Sequence, residues 1–181
     1  GVVIPGRGFI MNNTMADFSP KVGVRTTLGL AYGMANAVRP GKTPLSSMSP
    51  TIVLKEGEPV LAVGSAGGPR IITSTLQLII NTLDYGMMMD SAVKTPHMCC
   101  LTRDQGLELE EGFSPDTVKL LEARGHKIAG TTDFGVLLVM PNGIMKKDGQ
   151  FFPGGTSRVD GGGGVLTKAG TAAIDGICFK F

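Results

Sequence analysis

Along the chain, apolar positions repeat with two different periods, and the change from one to the other marks most of the predicted elements. In "TIVLKEGEPVLAVGS", two apolar runs flank Lys55-Glu56-Gly57-Glu58, which predicts a β-hairpin. From Arg70 the apolar positions become Ile71, Ile72, Leu76, Ile79, Ile80 and Leu83, a helical spacing that Gly86 stops. "MDSAVKTP" predicts one or two more helical turns, ended by Pro96. "LELEEGFSPDTVKLLEARGHKI" predicts a strand and then a helix, with Ser114 as N-cap, Pro115 in the first turn and Gly125 as the stop.

The flanking regions are more broken. "GVVIPGRGFIMNNTMADFSP" predicts two short strands around Pro5-Gly6-Arg7-Gly8 and a polar turn at Asn12-Asn13-Thr14. From Pro20 to Pro44, Gly and Pro interrupt any period, and we expect an ordered loop. "GVLLVMPNGIMKKDGQFF" predicts a second hairpin turning at Pro141-Asn142-Gly143. The tail, with Gly154-Gly155 and the run Gly161 to Gly164, is assigned no secondary structure. Hairpin-paired strands with at least two covering helices make an α+β layered fold, and 181 residues suit a single domain spanning 1–181.

Composition narrows the function classes. A formal charge of +2 gives no reason to expect nucleic acid or an anionic membrane as partner. No apolar stretch approaches the ~20 residues of a membrane span, and we see no signal peptide. Charged residues make up only 18% and there are 27 Gly and 10 Met, so a large partner surface is expected to cover part of the chain. The chain opens on Gly1 rather than Met, as a cleavage product or a fragment would. Cys99, Cys100 and Cys178 form neither a disulfide framework nor a metal spacing and read as small packing residues.

Three features could carry chemistry. Gly67-Gly68 lie between a strand and a helix, where backbone N–H groups lack intrahelical partners. Such amides can form an oxyanion hole worth roughly 3 kcal/mol per donor, although a tight strand-to-helix turn needs the same glycines. Ser46-Ser47 could donate two hydroxyl hydrogen bonds to a carboxylate, or simply make a Ser-rich turn. Asp17 could hold an ammonium group or cap a turn. His97 and His126 are isolated, with no carboxylate at metal-ligand spacing, and the Gly-rich tail lacks the surroundings of a phosphate loop.

In order, "NNTMADFS", "GKTPLSSMSPTIVLKEGEPVLAVGSAGGPRIITSTLQLIINTLDYGM" and "GFSPDTVKLLEARGHKI" closely resemble the small subunit of γ-glutamyltransferases. The resemblance runs from Gly1 to about Ile128. It implies the four-layer αββα sandwich of N-terminal-nucleophile hydrolases, made when a precursor cuts itself into a large and a small subunit. It implies that Ser46 and Ser47 bind the α-carboxylate of the γ-glutamyl group, that Gly67 and Gly68 supply the oxyanion-hole amides, and that Asp17 takes the α-amino group. The implied substrates are glutathione and related γ-glutamyl compounds, with no metal or cofactor. The implied partner is the large subunit, and the implied location is periplasmic, secreted or cell-surface, with no direct membrane contact by this chain.

The departures from the family pattern are specific. Thr14 stands where the family usually has Glu or Gln as another contact to the amino group, and Ala16 where it has a second acidic residue. Cys99-Cys100 replace a His pair found in many members, and beyond about Gly130 only "GGTSRVDGGGG" matches the family's Arg-containing segment. The Thr-led segment that opens family small subunits is not among these residues, and no Thr or Ser here can replace it, because the attacking residue needs its own free α-amine as base. The rival readings are an acylase of β-lactam side chains or a poly-γ-glutamate depolymerase on the same scaffold, and a non-catalytic light-chain-only relative.

Overall fold

The computed structural model describes residues 2–21, 23–24, 33–132, 139–158, 163–167 and 170–174; residues 131, 132, 163–167 and 170–174 are described by their backbone alone. The chain divides into two compact units, Gly1–Ser47 and Met48–Phe181.

In the first unit, an antiparallel bridge joins Val3 to Ile10 across the Pro5–Gly8 turn. A 3₁₀ turn at Thr14–Asp17 follows the predicted polar turn. Part of the Pro20–Pro44 loop lies outside the described residues. Its described part holds a second 3₁₀ turn, Met34–Asn36, and a parallel bridge from Ser19 to Ala37. Phe18 and Ser19 are buried beside that bridge.

The second unit is built on a four-stranded antiparallel sheet ordered β1 (Thr51–Lys55), β2 (Glu58–Ala66), β6 (Met140–Lys147) and β7 (Gln150–Gly154). The β1–β2 loop is the expected two-residue turn, with Glu56 at φ 54 and Gly57 at φ 84. Positive φ at both positions matches the right-handed strand twist. Between the pairs lie α1 (Ile71–Leu83), α2 (Met89–Lys94), β3 (Met98–Cys99), β4 (Leu107–Glu110), α3 (Pro115–Ala123) and β5 (Ile128–Thr132). β3, β4 and β5 form a second sheet, antiparallel at β3–β4 and parallel at β4–β5. The Ser114 hydroxyl accepts from the Thr117 amide at 3.2 Å, the expected N-cap of α3.

Two expectations are corrected. Pro141-Asn142-Gly143 is not a turn: it lies inside β6, with Gly143 opposite Val63, and the hairpin reverses at Asp148 (φ 50) and Gly149 (φ 76). Both sites carry a good turn dipeptide, and packing decides between them. Gly143 pairs with Gly154 across β6–β7, and Met89 of α2 fills the space the two leave. A Cβ on Gly143 would lie 2.7 Å from Met89 Sδ, and one on Gly154 would lie 2.7 Å from the Met89 carbonyl oxygen. The tail also has structure: β8 (Gly163–Thr167) and β9 (Gly170–Ile174) pair antiparallel. A ladder is made by main-chain groups, which glycines retain.

The core joins Leu61 and Val63 of β2, Leu78 of α1, and Met89, Ala92 and Val93 of α2. α1 forms where its spacing predicts, yet only part of its apolar stripe, Ile71 and Ile79, meets the core. Ile71, Ser74, Thr75, Leu78 and Thr82 face inward, whereas Ile72, Leu76 and Leu83 are exposed. Thr82 suits the inner face because its hydroxyl bonds back to the Leu78 carbonyl at 2.7 Å.

Candidate active site

Gly67 and Gly68 turn β2 into α1. Gly67 has φ 141 and Gly68 φ 59, both in the region that favours glycine. The Gly67 and Gly68 carbonyls accept from the amides of Arg70 and Ile71, which closes a 3₁₀ turn, Gly68–Arg70, onto the first residue of α1. The turn is held from the side. Arg70 Nε and its second terminal nitrogen donate to the two Glu108 oxygens at 2.7 and 2.8 Å, a bidentate clamp from β4. The Glu108 carboxylate keeps the Arg70 guanidinium above its usual pKa. Seven residues on, the Gln77 amide donates to the Met98 carbonyl at 2.8 Å and accepts from its amide at 3.0 Å. Two forks therefore tie the first two turns of α1 to the second sheet.

Thr14 and Asp17 open and close the first 3₁₀ turn and are both half-buried. Ser46 is exposed and Ser47 half-buried, in an extended segment that ends the first unit. Asn36 brings these two groups together. Its Nδ2 donates to the Asp17 backbone carbonyl at 2.7 Å, and its Oδ1 accepts from the Leu45 amide at 2.9 Å, one residue before Ser46. Gly67 and Gly68 belong to the second unit.

A buried cluster was not legible in the sequence. Arg158, Glu110 and His97 are almost wholly inaccessible. Arg158 Nε donates to Glu110 Oε1 at 2.7 Å, its guanidinium also pairs with Oε2, and it reaches the carbonyls of Val93 and Thr95 at 2.7 and 3.1 Å. The His97 amide donates to Glu110 Oε2 at 2.8 Å. His97 is therefore not isolated; burial above all, and then the Arg158 charge, push its pKa down to about 4. Cys99 packs in the interior, where burial raises its thiol pKa, but Cys100 is exposed. Cys178 lies outside the described residues. Among the described residues no His, Cys, Asp or Glu cluster could hold a metal ion.

Comparison with known proteins supplies the frame for this geometry. The family described as Gamma-glutamyltranspeptidase matches residues 1–162. The chain belongs to this family. It is 51% identical over 129 residues to a glutathione hydrolase proenzyme of Escherichia coli, an alignment covering 71% of this chain and 22% of that protein. A crystal structure of a γ-glutamyltranspeptidase mutant from Helicobacter pylori superimposes with a TM-score of 0.76 at 40% identity, covering 87% of this chain and 86% of that one. An acylase ACY 1 proenzyme of a Pseudomonas species is 39% identical over 127 residues, covering 70% of this chain and 21% of the acylase. The chain thus spans under a quarter of the length of the first curated relatives it matches. The helices and largely antiparallel sheets are those of the γ-glutamyltranspeptidase fold.

Proposed function

We propose that this chain supplies the substrate-recognising residues and the oxyanion hole of an enzyme that transfers or hydrolyses γ-glutamyl groups, with glutathione-like compounds as substrates. The observation that carries the reading is the Gly67-Gly68 turn, which directs consecutive peptide units at the start of α1 within the residues the family matches. In this reading the Gly67 and Gly68 amides receive the γ-carbonyl oxygen as it gains charge. The Ser46 and Ser47 hydroxyls donate to the α-carboxylate, and Asp17 accepts from the α-ammonium, with a weaker contact from Thr14. A Thr outside residues 1–181 supplies the attacking hydroxyl, with its own α-amine as base. Its attack expels the amine and forms a γ-glutamyl ester, which water or an amino acid then opens. The large subunit of the same precursor is the partner that completes the site.

The test uses the complete protein with p-nitroanilides of glutamate and of glutarate, the second lacking the α-amine. Asp17→Ala should raise KM at least tenfold for the γ-glutamyl substrate and far less for the glutaryl one. Equal losses would make Asp17 a turn residue only.

A second reading, an acylase on the same scaffold, is favoured by Thr14, a hydroxyl with less reach and charge than the family's usual residue, and by Ala16, which lacks the family's second acidic group on the ammonium side of the site. It predicts that glutaryl substrates outperform γ-glutamyl ones in the unmodified protein.

A further inference from the structure

We propose that Asn36 is a positioning residue that fixes the separation between the ammonium-binding and carboxylate-binding points of the substrate site; the inference rests on the γ-glutamyl reading above. A zwitterionic head carries its two charges at one covalently set distance, so an acceptor and a donor pair discriminate in its favour only when held at the matching separation. Asp17 sits at the end of one turn and Ser46-Ser47 in a segment with no regular secondary structure. Among the described residues no sheet ladder or helix joins the two segments directly. The Asn36 side chain does, with Nδ2 on the Asp17 carbonyl at 2.7 Å and Oδ1 on the Leu45 amide at 2.9 Å.

The backbone of Asn36 anchors the link. Its carbonyl accepts from the Ser19 amide at 2.9 Å, and its amide donates to the Gly33 carbonyl at 3.1 Å. Ser19 is buried and bridges to Ala37, so the residue carrying the link is itself pinned to the segment that carries Asp17. The partners dictate the residue type. A carbonyl on one side needs a donor and an N–H on the other needs an acceptor, and a planar primary amide offers both at a fixed spacing. Asp offers no donor when ionised, and Ala removes both bonds.

The experiment compares three p-nitroanilides on the complete protein: γ-glutamyl, with both charges; glutaryl, without the amine; and 4-aminobutyryl, without the carboxylate. Active sites are counted by titration with a covalent glutamine analogue. Asn36→Ala and Asn36→Asp should raise KM for the γ-glutamyl substrate about tenfold, with kcat per titrated site within twofold of the unmodified protein. The two truncated substrates, which engage one point each, should change less than about threefold. Equal losses on all three, or losses confined to the number of titrated sites, would mean that Asn36 only supports folding and would overturn the proposal. If the unmodified protein does not discriminate among the three substrates, the γ-glutamyl reading itself fails and the inference goes with it.

Discussion

Arg158 reaches the carboxylate of Glu110 across 48 residues of sequence, and neither side chain is exposed to solvent. The pair joins the segment after β7 to β4, and the remaining guanidinium donors reach the carbonyls of Val93, in the last turn of α2, and Thr95, its C-cap. Each charge is tolerated in the interior only because the other and these carbonyls satisfy it. Removing one partner should therefore cost far more than removing both. Arg158→Met should destabilise the complete protein by about 3–5 kcal/mol, the range for stranding a buried charge. Arg158→Met with Glu110→Leu should regain at least half of that in denaturant unfolding. A double variant as unstable as the single one would show that packing, and not charge, is what Arg158 contributes.

His97 gives the cluster a pH dependence whose sign is fixed. An unfolded His titrates near 6.5, whereas the folded His97 is held down to about 4. Between those values the unfolded chain binds a proton that the folded chain refuses. The stability His97 contributes is thus fully present above about pH 6.5 and is lost as pH falls towards 4. The size is on the order of 3 kcal/mol. The unfolding free energy between pH 7.5 and 4.5 should fall more steeply in the unmodified protein than in His97→Gln. Parallel pH profiles would rule out His97 as the source.

The legible parts of the sequence were those decided locally. The β1–β2 turn and the Ser114 cap each depend on a few adjacent residues, and both formed as the pattern predicts. Residues 141–149 offered two good turn dipeptides, and the choice was made by Met89, more than 50 positions away. The spacing of α1 indicated a helix but not which face would meet which layer, because both its stripes can pack. Nothing in "GMANAV" sets Asn36 apart, and the Arg158–Glu110–His97 cluster is assembled from separate segments. The site residues came from family resemblance, since Ser pairs and Gly pairs are common in turns.

Met89 and the Gly143–Gly154 pair form a fit that tolerates no added carbon. A Cβ on Gly154 would meet the main chain of Met89, which cannot rotate away, whereas one on Gly143 would meet the end of a flexible side chain and Val63 Cγ1 at 2.8 Å. Overpacking of this kind costs roughly 1–3 kcal/mol. Gly154→Ala should be the more damaging, and Met89→Ala should relieve Gly143→Ala more than it relieves Gly154→Ala. Equal relief of both would mean that the Met89 main chain shifts freely.

The sheet has a second face that the described helices leave open. Ile52, Ala62, Ile144 and Pro153 stand opposite one another across all four strands, on the side facing away from the core pair Leu61 and Val63. They line an open trough of about 680 Å³, and Ile52 is 67% exposed. α1 adds Ile72 and Leu76 as a further apolar surface in the same unit. If the large subunit covers the sheet face, residues 1–181 produced separately should bind a hydrophobic dye and aggregate, and on the proposed mechanism they should release no p-nitroaniline above background. Burying an Ile side chain contributes about 1.5–3 kcal/mol, and placing a carboxylate there instead adds a desolvation penalty. Ile52→Asp with Ile144→Asp should therefore make the separate chain more soluble and weaken its assembly with the large subunit at least a hundredfold, whereas Ile72→Asp tests α1 independently. Undiminished assembly of the Ile52 and Ile144 variant would show that this face is not where the partner sits.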